Sequence, residues 1–310
     1  MQKKTMAITT TQNRRDFLAT VAGSATAAAL LTPRSLWANG AAAEPGNWQM
    51  KLSTSTIQFS SLPIEEACAR IAKLGFPAVD IWSAHAGCPH LDDCLNRLGP
   101  TGLSELLERT KLKLFAFSTY RGGFAKYAEL LGKVGGGVAV QGSSGGRCPP
   151  AELKTRMGQF MENVKPLVEL AEKTNSYLAI ENHGNALLDS VDSFKAFVDM
   201  NRSPHLGIAV APYHLQRIKA SVPEVIEICG KQLLFFYAWQ HSPGKQQLPG
   251  LGPVDFTPWI AALAKIRYDG YVNPFMHHEP EPDEMAAALA ESKTYLEKVW
   301  AAVERSAADA

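Results

Sequence analysis

Eight short apolar runs, each followed by a stretch with helical spacing, alternate without a break from residue 51 to residue 305. The strand-like runs fall at 51–59, 77–82, 112–118, 137–141, 177–182, 206–211, 233–239 and 271–276, bounded by Gly, Pro, Asn or Ser. They are apolar at consecutive positions rather than alternate ones, as strands covered on both faces are. Helical patterns occupy 63–74, 102–110, 124–133, 151–173, 190–201, 222–229, 255–266 and 283–305. Pro63 opens the first of these, Gly75 ends it, and Asp255 takes a capping position ahead of the seventh. Eight such units in about 260 residues predict a closed (β/α)8 barrel, a TIM barrel, as one domain over residues 50–305. No G-x-G-x-x-G follows the first strand, which argues against a dinucleotide fold. Gly135-Gly136-Gly137 precedes a strand and reads as a turn, not a phosphate cradle.

Ahead of the barrel, Asn13-Arg14-Arg15-Asp16-Phe17-Leu18 sets paired arginines before an uncharged run from Ala19 to Leu31. Pro33 and Ala41-Ala42-Ala43 follow. These parts in this order predict a twin-arginine export signal with its cleavage zone over residues 1–43, and hence a periplasmic protein. The apolar run is too short and too rich in alanine for a bilayer span, so none is expected after cleavage. That route carries proteins already folded, which suits a chain that acquires a metal beforehand.

Loss of residues 1–43 removes five of the 31 Lys and Arg residues and one of the 30 acids, leaving 26 against 29 and a net charge of −3. No basic stripe remains for nucleic acid or for a membrane surface. Of the five cysteines (Cys68, Cys88, Cys94, Cys148 and Cys229), none forms a C-x-x-C pair, which argues against a zinc ribbon or a redox dithiol. Cys88 and Cys94 are the one near pair for a disulfide in an oxidising compartment. Cys68 sits on the apolar face of its helix and reads as core.

In such barrels the site lies at the C-terminal strand ends. The second run ends Asp80-Ile81-Trp82, with His85 beyond it, and the fifth ends Glu181-Asn182-His183. The sixth leads through Ala211 and Pro212 to Tyr213-His214, and the seventh ends Tyr237-Ala238-Trp239-Gln240-His241. The eighth runs Asn273-Pro274-Phe275-Met276-His277-His278-Glu279. Six of the eight histidines thus follow strand tips; His90 and His205 stand apart as bystanders. A lone histidine is most often structural, but this grouping predicts a site. Glu181, His183 and His85 are the candidates for moving a proton. Trp82, Tyr213, Trp239, Gln240 and Phe275 are the candidate substrate contacts, the aromatics as walls for a sugar ring. Mixed carboxylate and imidazole donors suit Mn, Co, Fe or Zn, with Glu181, His214, His241 and His277 as candidate ligands. Such an ion would polarise a carbonyl and stabilise an enediolate.

Across most of residues 50–300 the chain resembles the xylose isomerase-like sugar isomerases and epimerases. The resemblance is carried by Leu74-Gly75-Phe76 leading to Asp80, by Ala179-Ile180-Glu181-Asn182-His183 and by Leu206-Gly207-Ile208. Pro249-Gly250 through Val254-Asp255-Phe256, and Ile266-Arg267-Tyr268-Asp269-Gly270-Tyr271, add to it. It implies a divalent metal held by Glu, Asp, His and Glu on strands 5 to 8, with both glutamates exchanging protons with the substrate carbon. Glu181 matches the first position, and His183 a substrate-side neighbour. The Asp position holds Ala211, His241 lies slightly beyond its usual place, and Phe275 stands at or near the place of the second Glu. Two readings follow. One is an exported enzyme with a remodelled metal site, acting on a carbohydrate or keto-sugar by isomerisation, epimerisation or elimination. The other is a periplasmic sugar-binding or accessory barrel that has lost the metal.

Overall fold

A computed structural model describes residues 48–143 and 145–308; the export signal expected over residues 1–43 lies outside them. Eight parallel strands follow one another in chain order around a single sheet. They are β1 (Ser53–Ser55), β2 (Ala78–Trp82), β3 (Lys113–Ser118), β4 (Gly137–Gly142), β5 (Ser176–Glu181), β6 (Leu206–Val210), β7 (Leu233–Ala238) and β8 (Val272–Pro274). The (β/α)8 architecture is the expected one.

The first strand is shorter than its apolar run. After Ser55 the chain tightens into a 3-10 turn over Thr56–Phe59, so the expected strand over 51–59 keeps only its middle. The barrel closes between β8 and β1, where Leu52 pairs with Val272 and the Val272 N–H donates to the Lys51 carbonyl at 2.8 Å. Further up this seam, side chains take over from the ladder. Thr54 Oγ1 donates to the Pro274 carbonyl at 3.1 Å, and Gln58 Nε2 to the Met276 carbonyl at 3.1 Å. Proline lacks an N–H, so side-chain donors here supply part of the closure.

The covering helices include α1 (Ile64–Lys73), α2 (His90–Asp93), α3 (Gly99–Thr110), α4 (Gly123–Lys133), α5 (Leu153–Lys173) and α6 (Val191–Met200). They continue with α7 (Pro212–Arg217), α8 (Val222–Cys229), α9 (Thr257–Lys265) and α10 (Pro282–Ala308). The turn α2 and the one-turn α7 were not apparent from periodicity, because neither is long enough to show a repeat. Asp255 accepts from the Thr257 N–H at 2.9 Å, so the helix expected from 255 begins two residues later. Ser190 and Ser193 form a reciprocal capping box at the start of α6.

All five cysteines are free. The near pair Cys88 and Cys94 does not form a disulfide: Cys88 Sγ lies 3.3 Å from His90 Nδ1, and His90 Nε2 reaches the Leu62 carbonyl at 2.8 Å. His90 and His205 are structural, the latter bonding the Ser176 carbonyl through Nδ1.

Side chains divide into two layers. One apolar layer joins helices to the outside of the sheet; the other fills the barrel. Inside, Phe115 stacks on Phe235 at 4.9 Å and meets Tyr271 at 4.8 Å, closing the lumen below the strand tips. Because strand side chains alternate, residues in phase with the lumen-filling Ala78, Ala179 and Phe235 also point inward. Those residues are Asp80, Glu181 and Tyr237.

Close strand packing also explains Gly207. A Cβ there would sit 2.4 Å from the Gln232 carbonyl oxygen and 2.5 Å from Leu234 Cγ. Gly207→Ala is therefore expected to cost about 1–3 kcal/mol, read as a lower urea midpoint at unchanged slope. An unshifted midpoint would mean that β6 and β7 separate without strain.

Candidate functional site

A cavity of about 570 Å³ opens at the C-terminal strand ends. Its floor and walls are aromatic. Trp82 stacks on Phe275 at 5.2 Å, Tyr213 stacks on Trp239 at 4.2 Å, and Tyr237 meets Phe275 edge-on at 5.0 Å. Large apolar walls with a few converging polar groups are the usual make-up of a small-molecule site.

Local hydrogen bonds aim these walls. Asn182, just past β5, spans to the next connection: its Oδ1 accepts from the Ala211 N–H at 2.7 Å and its Nδ2 donates to the Ala211 carbonyl at 3.2 Å. The amide thus extends the β5–β6 pairing by one rung beyond the strands. Pro212 then starts α7, a favoured position for proline, and that single turn carries Tyr213 and His214 over the cavity. On the opposite side, Gln247 Oε1 accepts from Trp239 Nε1 at 2.8 Å and from the His277 N–H at 3.2 Å. Its Nε2 donates to the His277 carbonyl at 3.0 Å.

Imidazoles ring the cavity. His183 and His214 lie 4.1 Å apart between ring centres, and His85 and His277 6.5 Å apart. Burial lowers His214 to about 3, with His183, Arg217, His277 and His241 nearby adding to the effect. Burial likewise lowers His277 to about 4. Both rings are therefore neutral at physiological pH. Nδ1 of His214 is buried with no partner among the described residues. Such an atom loses hydration without compensation until something occupies the cavity beside it.

The lumen holds two carboxyls. Glu181 reaches into the cavity, and burial raises it to about 8 against the opposing hydrogen bond from Tyr120. Asp80 is fully buried beneath. Ser55 Oγ and Trp82 Nε1 each donate to its Oδ2 at 2.7 Å, and Ser118 Oγ lies 3.0 Å from Oδ1. Burial raises Asp80 to about 7 despite these donors. Hydroxyls lead from Asp80 toward the cavity: Ser118 Oγ is 3.3 Å from Tyr237 Oη, which is 2.8 Å from Tyr120 Oη.

Of the residues expected to form the site, Glu181, His183, His85, Trp82, Tyr213, Trp239, Phe275, His214 and His277 all line this cavity. Gln240 does not. It is fully buried in the loop after β7, its Nε2 donating to the Leu248 carbonyl at 2.8 Å and its Oε1 accepting from the Val254 N–H at 2.9 Å. His241 does not line it either: it is exposed beside Tyr213, with its N–H donating to Gln216 Oε1. The strand alternation accounts for both. Trp239 continues the inward phase of Phe235 and Tyr237, so Gln240 takes the other side, and by His241 the chain has left the barrel.

Tyr120, Tyr237, Gln247 and Arg217 also line the cavity and were not among the expected residues. Tyr120 follows the β3 tip, where the strand-end rule would have found it. Gln247 belongs to a long loop that carries no such signal.

A divalent metal does not fit this donor set. Among the described residues no three Asp, Glu, His or Cys side chains converge as a ligating group. Ala211 has no donor, and Phe275 places a ring against Trp82 and Trp239 where a second glutamate was expected.

Solved structures share the fold. A 3-keto-D-glucoside 4-epimerase from E. coli matches with 18% identity and a TM-score of 0.62, over 79% of this chain and 100% of that one. A D-psicose 3-epimerase matches with 14% identity and a TM-score of 0.62, over 81% and 99%. A probable 3-DHS dehydratase from Bacillus anthracis matches with 16% identity and a TM-score of 0.62, over 80% and 99%. At such identities the likeness is one of architecture. No curated protein matches the sequence. The family model for xylose isomerase-like TIM barrels matches residues 68–298, well over half of the chain, and the protein belongs to that family.

Proposed function

We propose that the protein is an exported enzyme of the isomerase and epimerase type, acting on a carbohydrate or keto-sugar by enolisation next to a carbonyl. The observation that carries this reading is Glu181: a buried carboxyl at the cavity wall, opposite neutral imidazoles and between aromatic faces. Two epimerases of the same fold are named for a keto-glucoside and a ketose, which supports the substrate class.

In its carboxylate form Glu181 takes the proton from the carbon beside the carbonyl. The C–H electron pair enters the new C=C bond, and the carbonyl oxygen becomes the enolate. A neutral imidazole N–H, from His214 or His277, donates a hydrogen bond to that oxygen without a prior change of charge. The unpartnered His214 Nδ1 gains a polar neighbour when a polyol enters. Trp82, Tyr213, Trp239 and Phe275 cover the apolar faces of the ring. Returning the proton to either face of the carbon, or to a neighbouring carbon, gives epimer or isomer. Loss of a β-hydroxyl gives elimination. No step requires a metal donor set. The second reading, a sugar-binding barrel without turnover, keeps the same walls but gives Glu181 no proton to move. Export to the periplasm rests on the paired arginines Arg14 and Arg15. Replacing both with lysine is expected to leave the protein in the cytoplasmic fraction.

Deuterium uptake from D2O at the carbon next to the carbonyl, followed by NMR over a panel of free ketoses and 3-keto-glycosides, tests the enzyme reading. Exchange is expected with at least one of them. Glu181→Gln should slow it by about 10²–10⁴-fold with little change in KM. In the wild type, kcat/KM should rise with pH through about 8, as the Glu181 carboxylate forms. No exchange across the panel, with sugar affinity unaltered by Glu181→Gln, would establish the binding barrel instead.

The same residue sets a pH dependence of stability. Its folded value of about 8 lies above the ordinary 4.5, so the folded protein retains a proton that the unfolded chain releases. That contribution is complete below about pH 4.5 and is lost as pH climbs through 8. Glu181→Gln is expected to gain on the wild type between pH 5 and pH 9, by an amount on the order of a few kcal/mol. Urea midpoints at the two pH values measure it; parallel shifts in both proteins would refute it.

A further inference from the structure

Arg217 lines the cavity, and no step above uses it. It is the last residue of α7, four positions after Tyr213 and three after His214. On a helix that spacing sets the three side chains on one face, so the turn that carries Tyr213 and His214 over the cavity brings the guanidinium there too. The turn is tied at both ends. Asn182 grips the backbone of Ala211 ahead of it, and near its far end Gln216 Oε1 accepts from the His241 N–H at 2.7 Å. Arg217 is therefore presented by a braced element.

A helical arginine commonly meets an acid within one turn. Positions 213–216 and 218–221 hold no Asp or Glu. Among the described residues the Arg217 guanidinium makes no ion pair and no hydrogen bond. Glu181 is the one carboxyl among the described lining residues, and it does not pair with Arg217. The other polar neighbours on this side are imidazoles. His183 lies 4.1 Å from His214 and His241 4.8 Å from Tyr213, between ring centres. His214 Nδ1 is itself buried without a partner. This face of the cavity thus carries one permanent cation and an unmatched polar nitrogen, with no anion beside them.

A ligand that completes such a face brings a negative charge. The guanidinium fork matches a planar carboxylate, two N–H groups to two oxygens. A phosphate dianion is ordinarily cradled by backbone N–H groups or by several cations. Here Arg217 is the single Lys or Arg among the described lining residues. The stacked rings of Tyr213 and Trp239, 4.2 Å apart, offer the apolar surface for a sugar ring. A volume of about 570 Å³ lies within the usual range for small-molecule sites. We propose that the cavity takes an acidic sugar, a uronic or keto-aldonic acid, and that Arg217 determines this specificity by pairing with its carboxylate. The inference rests on the cavity being the sugar site proposed above and names which sugars it selects.

Tryptophan fluorescence of the full chain reports binding, since Trp82 and Trp239 line the cavity. Pairs that differ only by oxidation of one carbon are titrated at neutral pH: glucose against glucuronate, galactose against galacturonate, and fructose against fructuronate. Glucose 6-phosphate and acetate complete the panel. At least one acid is expected to bind about 10-fold or more tighter than its neutral partner. Arg217→Gln should bring that ratio close to one, chiefly by weakening the acid. Arg217→Lys should keep part of it, and Arg217→Glu should invert it. Arg217 is exposed, so all three variants are expected to fold, with urea midpoints near that of the wild type. No acid preferred in the wild type, or a preference that survives Arg217→Gln, overturns the proposal. Tighter binding of glucose 6-phosphate than of glucuronate also overturns it, as phosphate recognition. Acetate bound as tightly as the acids overturns it too, as a general anion site.

Deuterium exchange separates this inference from the reading it rests on. If an acid is preferred through Arg217 but no sugar, acidic or neutral, exchanges, enolisation falls and the ligand class stands. If neutral ketoses exchange in wild type and in Arg217→Gln while no acid is preferred, the ligand class falls and enolisation stands.

Discussion

Closing eight parallel strands into a barrel forces alternate residues of each strand into one shared interior, and the make-up of the cavity follows from that constraint. The lower interior can be filled by aromatics and alanines, as Phe115, Phe235, Tyr271, Ala179 and Ala209 fill it. Nearer the tips the same phase brings Asp80, Glu181 and Tyr237 inward, where water is scarce. Neither acid has a cationic partner among the described residues, and their proton affinities rise because the charged forms lose hydration. The imidazoles at the rim respond in the opposite sense for the same reason. A single cause, desolvation, thus prepares both a carboxyl that holds its proton near neutral pH and imidazoles that have none to spare. The proposed enolisation would draw on the carboxylate form of the first and on the N–H of the second.

Much of this was legible in the sequence. Consecutive apolar residues in short runs identified all eight strands, since a strand covered on both faces has few polar positions to obscure it. The strand-end rule then brought Glu181, His214, His277 and the aromatic walls to one mouth. It failed where local geometry overrides position along the chain. Gln240 and His241 follow a strand tip as Trp239 does, but alternation and the loop's own hydrogen bonds carry them away from the cavity. Gln247 illustrates the opposite failure. Nothing in a run of glycine, lysine and glutamine marks a residue that braces two strand ends across 30 positions of sequence.

The expected metal set shows how a residue inventory differs from a site. Imidazoles and carboxyls are present at the mouth in sufficient number, yet they spread around a wide aromatic-walled opening, and among the described residues no three meet. Ala211 removes a donor from the β6 tip, and the Asn182 amide then grips the backbone of that same residue. Phe275 contributes a ring to the stack with Trp82. The Asn182–Ala211 bonds fix the entry to α7, while Phe275 belongs to the aromatic packing of the cavity wall.

Gln247 gives the mouth an unusual kind of adaptability. Because one amide fastens both an indole and a backbone segment bearing an imidazole, a shift in its loop moves a hydrophobic surface and a polar group in concert. Changes of loop length or composition around residues 244–247 would therefore retune what the opening admits and how it is oriented in one stroke, leaving the strands untouched. The scaffold and its selectivity are thus separable, with the join passing through a single side chain.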